Sequence, residues 1–93
     1  MSDKEAFYVK LKDRLDNTTK FPTDYLYKFI VPTGGSQVVE IEELFKGRQV
    51  KISTKKSKTG KYISVSINVK LVSSNEVISY YKKAEKIEGI ISL

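Results

Sequence analysis

The sequence predicts an α+β sandwich formed by a single domain over residues 1–93, and three observations predict it. From Ile63 to Leu71 apolar residues alternate with polar ones without a break, the period of a strand with one buried and one wet face. Stretches with helical spacing alternate with stretches rich in β-branched and aromatic residues, and glycine or proline stands at most junctions. The chain has 93 residues, 40% apolar and 30% charged, a globular composition. A domain of this size buries roughly 60–70% of its unfolded surface, enough for one modest core.

A helix is expected over about residues 3–16. Ser2 and Glu5 have the spacing of a capping box, and Phe7, Leu11 and Leu15 recur on one face. Asn17-Thr18-Thr19 ends it, and Pro22, with no N–H to donate, blocks its continuation. The core of the domain then occupies about residues 21–93. Tyr25 to Val31 has strand composition; Tyr27, Phe29 and Val31 share the face that should be buried, and Leu26, Lys28 and Ile30 share the other. Pro32-Thr33-Gly34-Gly35 breaks that strand. Ser36 stands as N-cap of a helix to about Phe45, with Val38, Ile41, Leu44 and Phe45 on its buried stripe and Gly47 as C-cap glycine.

Two strands follow. Val50, Ile52 and Thr54 alternate with Lys51, Ser53 and Lys55, and a turn at Lys58-Thr59-Gly60 leads into the long alternation. Ser73 and Glu76 again have capping-box spacing, opening a helix to about Lys86 with Val77, Tyr81 and Ala84 inward. Gly89 breaks it, and Ile90 to Leu93 forms a short last strand. The order is a helix followed by β-α-β-β-α-β, which has a well-known compact solution in the ferredoxin-like split βαβ sandwich, a four-stranded antiparallel sheet with two helices on one face. Its open face should carry Leu26, Lys28, Ile30, Lys51, Ser53, Lys55, Tyr62, Ser64, Ser66, Asn68 and Lys70. The additional N-terminal helix is expected on the edge of the sandwich or partly over that sheet.

Composition excludes much chemistry. The chain has no Cys, no His and no Trp, which removes disulfides, thiol nucleophiles, imidazole bases and the usual Cys/His zinc sites. Glu40, Glu42 and Glu43 fall on the wet side of a short helix, and no serine lies in a nucleophile-elbow context. The expectation is therefore a protein that is not an enzyme, with no catalytic residue, no cofactor and no metal. The longest apolar run, Ala6 to Val9, is far short of the ~20 residues that cross a bilayer. With no secretory signal in view, the expected location is cytoplasmic, away from membranes.

Charge is unevenly placed. The net charge is +6, and between Glu43 and Glu76 there is no acid at all. That interval holds Lys46, Arg48, Lys51, Lys55, Lys56, Lys58, Lys61 and Lys70, leaving nine basic against eleven acidic residues elsewhere. Lys51, Lys55, Lys56, Lys58 and Lys61, with Tyr62, are candidate contacts for an acidic protein partner or another anion. Lysines on an exposed hairpin also serve solubility and discourage edge-to-edge pairing. A second candidate site is the loop Thr33, Gly34, Gly35 and Ser36: it leads into a helix N-terminus, where free N–H groups favour a small anion, and paired glycines would admit a ligand to the backbone. A third use of the sheet is single-stranded RNA binding, with Tyr62 as the stacking ring and the lysines on phosphates; the first strand offers no second ring. Self-association as a homodimer through the sheet face or a strand edge is a further option.

Three stretches resemble the YbeD-like family of small uncharacterised bacterial proteins: Phe21 to Pro32, Gly60 to Ser66, and Ile87 to Leu93. The resemblance runs over nearly the whole chain from Phe7. It implies a ferredoxin-like fold similar to ACT regulatory domains, which bind amino acids or other small molecules with the loop after the first strand. Thr33, Gly34 and Gly35 occupy that position. The function expected is an ACT-like regulatory or binding module acting through a protein partner, with a small anionic ligand at the strand-to-helix loop; the alternative is the RNA-binding domain.

Overall fold

A computed structural model describes residues 3–93. Helix α1 (Asp3–Thr18) leads through Lys20 and a cis Phe21–Pro22 bond into strand β1 (Thr23–Pro32). Helix α2 (Gln37–Leu44), strands β2 (Val50–Lys56) and β3 (Tyr62–Leu71), helix α3 (Ser74–Ala84) and strand β4 (Ile91–Ser92) complete the order. The sheet order is β2-β3-β1-β4, antiparallel at every join. That is the ferredoxin-like arrangement, in which β3 inserts between the two parallel strands of a βαβ unit.

Alternation in sequence becomes a two-faced sheet. Tyr27, Phe29 and Val31 of β1 and Val65, Ile67, Val69 and Leu71 of β3 are buried under the helices, as their parity predicts. Ile41 and Phe45 come down from α2, and Val77, Tyr80 and Ala84 from α3. Aromatic rings dominate this core. Phe45 stacks on Tyr80 with centroids 4.4 Å apart, and Tyr27 meets Tyr25, Phe29 and Tyr81 within 4.8–5.7 Å. The Tyr27 hydroxyl donates to Val77 O at 2.8 Å, which satisfies the one polar atom that this ring carries inside.

Several expectations need correction. Phe7 does not share the buried stripe of α1: it is largely exposed, and Leu15 alone among the described residues of that helix is buried. The Ser2–Glu5 capping box lies outside the described residues. Helix α1 runs to Thr18 and packs against α3, so the open sheet face stays uncovered. Ser36 occupies the N-cap position of α2 without capping it; its hydroxyl turns to Glu40 at 3.4 Å. Helix α3 ends at Ala84, two residues early, and buries Ile78 and Tyr80 beside the expected positions. Its capping box is half as expected: Ser73 Oγ accepts from Glu76 N–H at 3.2 Å, but the Glu76 carboxylate takes the N–H of Val72, at 3.0 Å, where Ser73 N–H was expected.

Candidate functional site

The strand register fixes which side chains are neighbours on the open face. Lys55 of β2, Ser64 of β3, Ile30 of β1 and Ile91 of β4 lie side by side in one row. Ser53, Ser66 and Lys28 form the next, and Lys51, Asn68 and Leu26 the one beyond. Leu93 N–H donates to Lys28 O at 2.9 Å, so the residue after β4 is still held against β1. Lysines thus stand among apolar side chains that water reaches: Leu26 is 60% exposed, Tyr62 47%, Ile91 51% and Leu93 65%.

Two grooves divide this face. The one at the hairpin end, about 460 Å³, is lined by Lys28 and Ile30 of β1, Lys55 to Lys58 across the end of β2, Tyr62 and Ser64 of β3, and Leu93. The other, about 560 Å³, lies between Asp24, Arg48 to Lys51, Asn68 and Lys70. Their electrostatics differ. Arg48 in the second groove is paired with Glu76, which it reaches through Nη1 and Nη2, and Asp24 brings a carboxylate of its own. The hairpin groove has four lysines and no acidic side chain among its lining residues, and none of those lysines has an ion-pair partner among the described residues.

The structure separates the expected cationic contacts. Lys55, Lys56 and Lys58 gather at the hairpin groove with Tyr62; Lys51 belongs to the other groove; Lys61 lines neither. It also brings the two candidate sites against each other. Thr33 Oγ1 donates to Gly60 O at 2.7 Å and Thr33 N–H to Lys61 O at 3.0 Å, so the loop after β1 is tied to the β2–β3 turn. Gly60 turns the hairpin at a φ of +72°, which L side chains rarely adopt.

For the loop itself the geometry is less generous. Gly34 has a φ of +87°, so the turn itself requires it. At Gly35 a Cβ would meet only the carboxamide end of the flexible Gln37 side chain, which can swing aside, so the structure does not demand the second glycine. With the Thr33 hydroxyl and amide both in use and Ser36 directed at Glu40, fewer free groups remain for an anion than the sequence suggested. Ile91 and Leu93 were missed. Their alternation was present in Ile90 to Leu93, but the register of so short a strand is set by its pairing with β1 and is not written in its own residues.

A family model described as "Protein of unknown function (DUF493)" matches residues 16–93, so most of α1 precedes the match. The solution structure of protein HP0495 from H. pylori is similar, with a TM-score of 0.65 and 22% identity over 82% of this chain and 86% of that one. At that identity the likeness is one of fold. No curated protein matches the chain.

Proposed function

The chain belongs to the DUF493 family of proteins of unknown function, the family of the YbeD-like proteins that its strands resemble, and we propose that it is a non-enzymatic binding module, similar in kind to ACT regulatory domains, that acts by docking an acidic surface of a partner protein on its open sheet face. The observation that carries this reading is the face itself: Lys28, Lys51, Lys55 and Lys70 project from a sheet surface that no helix covers, among exposed apolar side chains. Apolar contact supplies affinity, and the lysines supply attraction and orientation.

What favours the face over the loop is that the Thr33 donors are already taken within the molecule. A small anionic ligand at Thr33 to Ser36 is tested by titrating the protein with pooled amino acids and small carboxylates while following amide resonances. Shifts concentrated at those four residues would restore the loop as a ligand site.

The docking face is tested by affinity capture with wild-type protein and with the double variant Lys51→Glu, Lys55→Glu. A partner of the proposed kind is held by the wild type at low salt, released at ~0.5 M salt, where charges are screened within a few ångströms, and not held by the variant. Retention that is indifferent to salt and to charge reversal removes the basic face from the account.

A further inference from the structure

We propose that the groove between the β2–β3 turn and Leu93 is an anchoring subsite for an acidic peptide segment, one that sets a single large apolar side chain among its carboxylates. This deepens the acidic-partner reading and rests on it. Three strands and the turn build the groove. Ile30 from β1, Tyr62 from β3 and Leu93 after β4 supply apolar surface, and the Leu93 hydrogen bond to Lys28 O holds that side of it in place. A volume of about 460 Å³ falls within the ~300–1,000 Å³ of small-ligand pockets and exceeds what one aromatic side chain fills.

Charge decides what surrounds that apolar anchor. Lys28, Lys55, Lys56 and Lys58 rim the groove without an acidic side chain among them and without an ion pair elsewhere among the described residues. Their aliphatic stems extend the apolar wall while their ammonium groups reach solvent, so carboxylates on both sides of an inserted side chain would meet a cation. The groove at the opposite end of the sheet is a poorer match, because Asp24 and the Arg48–Glu76 pair already neutralise part of it. A peptide fits this surface better than single-stranded RNA does. One exposed ring is a single stacking platform, its neighbours in the groove are aliphatic, and the cations are lysines without the planar fork that grips phosphate.

The test uses an acetylated, amidated five-residue peptide in which one phenylalanine is flanked on each side by two aspartates, followed by amide NMR of the full chain. Two control peptides replace the phenylalanine by alanine, or the aspartates by asparagine. The expected result is shifts confined to residues 28–30, 55–64 and 91–93, with affinity reduced about tenfold on loss of the peptide ring and abolished on loss of its charges. The protein variants Leu93→Asn and Tyr62→Ser, both at exposed positions, should each weaken binding several-fold and keep a dispersed spectrum. Equal binding of the phenylalanine and alanine peptides overturns the subsite and leaves the acidic-partner reading standing. No shift with any acidic peptide overturns the subsite, and salt-sensitive capture by the Lys51 and Lys55 face then decides the broader reading by itself. Tighter binding of a hexauridylate on the same amides overturns the peptide in favour of RNA.

Discussion

Glu76 shows how one side chain joins three parts of this fold. Its backbone N–H is capped by Ser73, its carboxylate accepts from Val72 N–H, and the same carboxylate receives Arg48 from the segment between α2 and β2. Hydrogen bonding to Arg48 holds the carboxyl below the usual carboxylate range; partial burial opposes this, and the Val72 N–H adds to it. A carboxyl with a lowered folded-state pKa stabilises the fold above its unfolded pKa of ~4.3, and the contribution is lost as pH falls through the lower, folded value. The melting temperature of the wild type should therefore fall more steeply between about pH 5 and about pH 2 than that of Glu76→Gln, whose side chain does not titrate. Parallel thermal scans in that window check it; superimposable slopes would show that the Arg48 pair contributes nothing to the acid transition. Inside the core the test is Tyr27→Phe, which keeps the ring and removes only the bond to Val77 O. The expected loss is about 0.5–1.5 kcal/mol in denaturant unfolding, the net worth of one buried hydrogen bond.

Helix α1 and strand β3 stand at opposite ends of a scale of commitment. Strand β3 has a neighbour on both edges, and its inward residues from Val65 to Leu71 are buried. Helix α1 buries Leu15, packs Leu11 partly, and otherwise holds α3 through polar contacts: Tyr8 to Glu85 at 2.6 Å and Ser74 to Asp16 at 2.5 Å. Burial, and then the bond to Glu85, push the Tyr8 phenol up. So little buried apolar surface predicts that α1 opens locally. In native-state hydrogen exchange its amides should exchange at a lower free energy than those of α3, whose protection should approach that of global unfolding. Exchange of both helices in one cooperative step would show that α1 is part of the folding unit. The same contrast explains what was legible in the sequence. Long period-two alternation reports burial directly, so β1, β3 and the open face could be read from residues alone. The side on which α1 packs depends on Tyr8 meeting Glu85 and Asp16 meeting Ser74, 77 and 58 positions away, and no local period encodes that. The site was half legible: the lysines of β2 and its turn stood out by charge, whereas Leu93 joined them only through the pairing of a two-residue strand.

Taken whole, the molecule is electrically two-sided. The acid-free interval between Glu43 and Glu76 folds into β2, the hairpin turn and β3, half the sheet, while Glu40, Glu42 and Glu43 lie exposed on α2, over the other face. Such a distribution suits oriented docking of an acidic surface and works against a second copy using the same face. Two open faces brought together would oppose Lys28, Lys51, Lys55 and Lys70 to the same set, and the exposed Leu26, Tyr62, Ile91 and Leu93 would have to outweigh that repulsion. At low salt the sedimentation mass should stay that of one chain across a wide concentration range. Added salt shortens the Debye length to ~3 Å at 1 M and leaves apolar contact intact, so any face-to-face dimer should appear only there. It should then be lost on Leu26→Ser or Leu93→Asn, changes that leave the buried core untouched. A dimer already formed at low salt would mean that the lysines do not set the behaviour of this face, and the acidic-partner reading would fall with them.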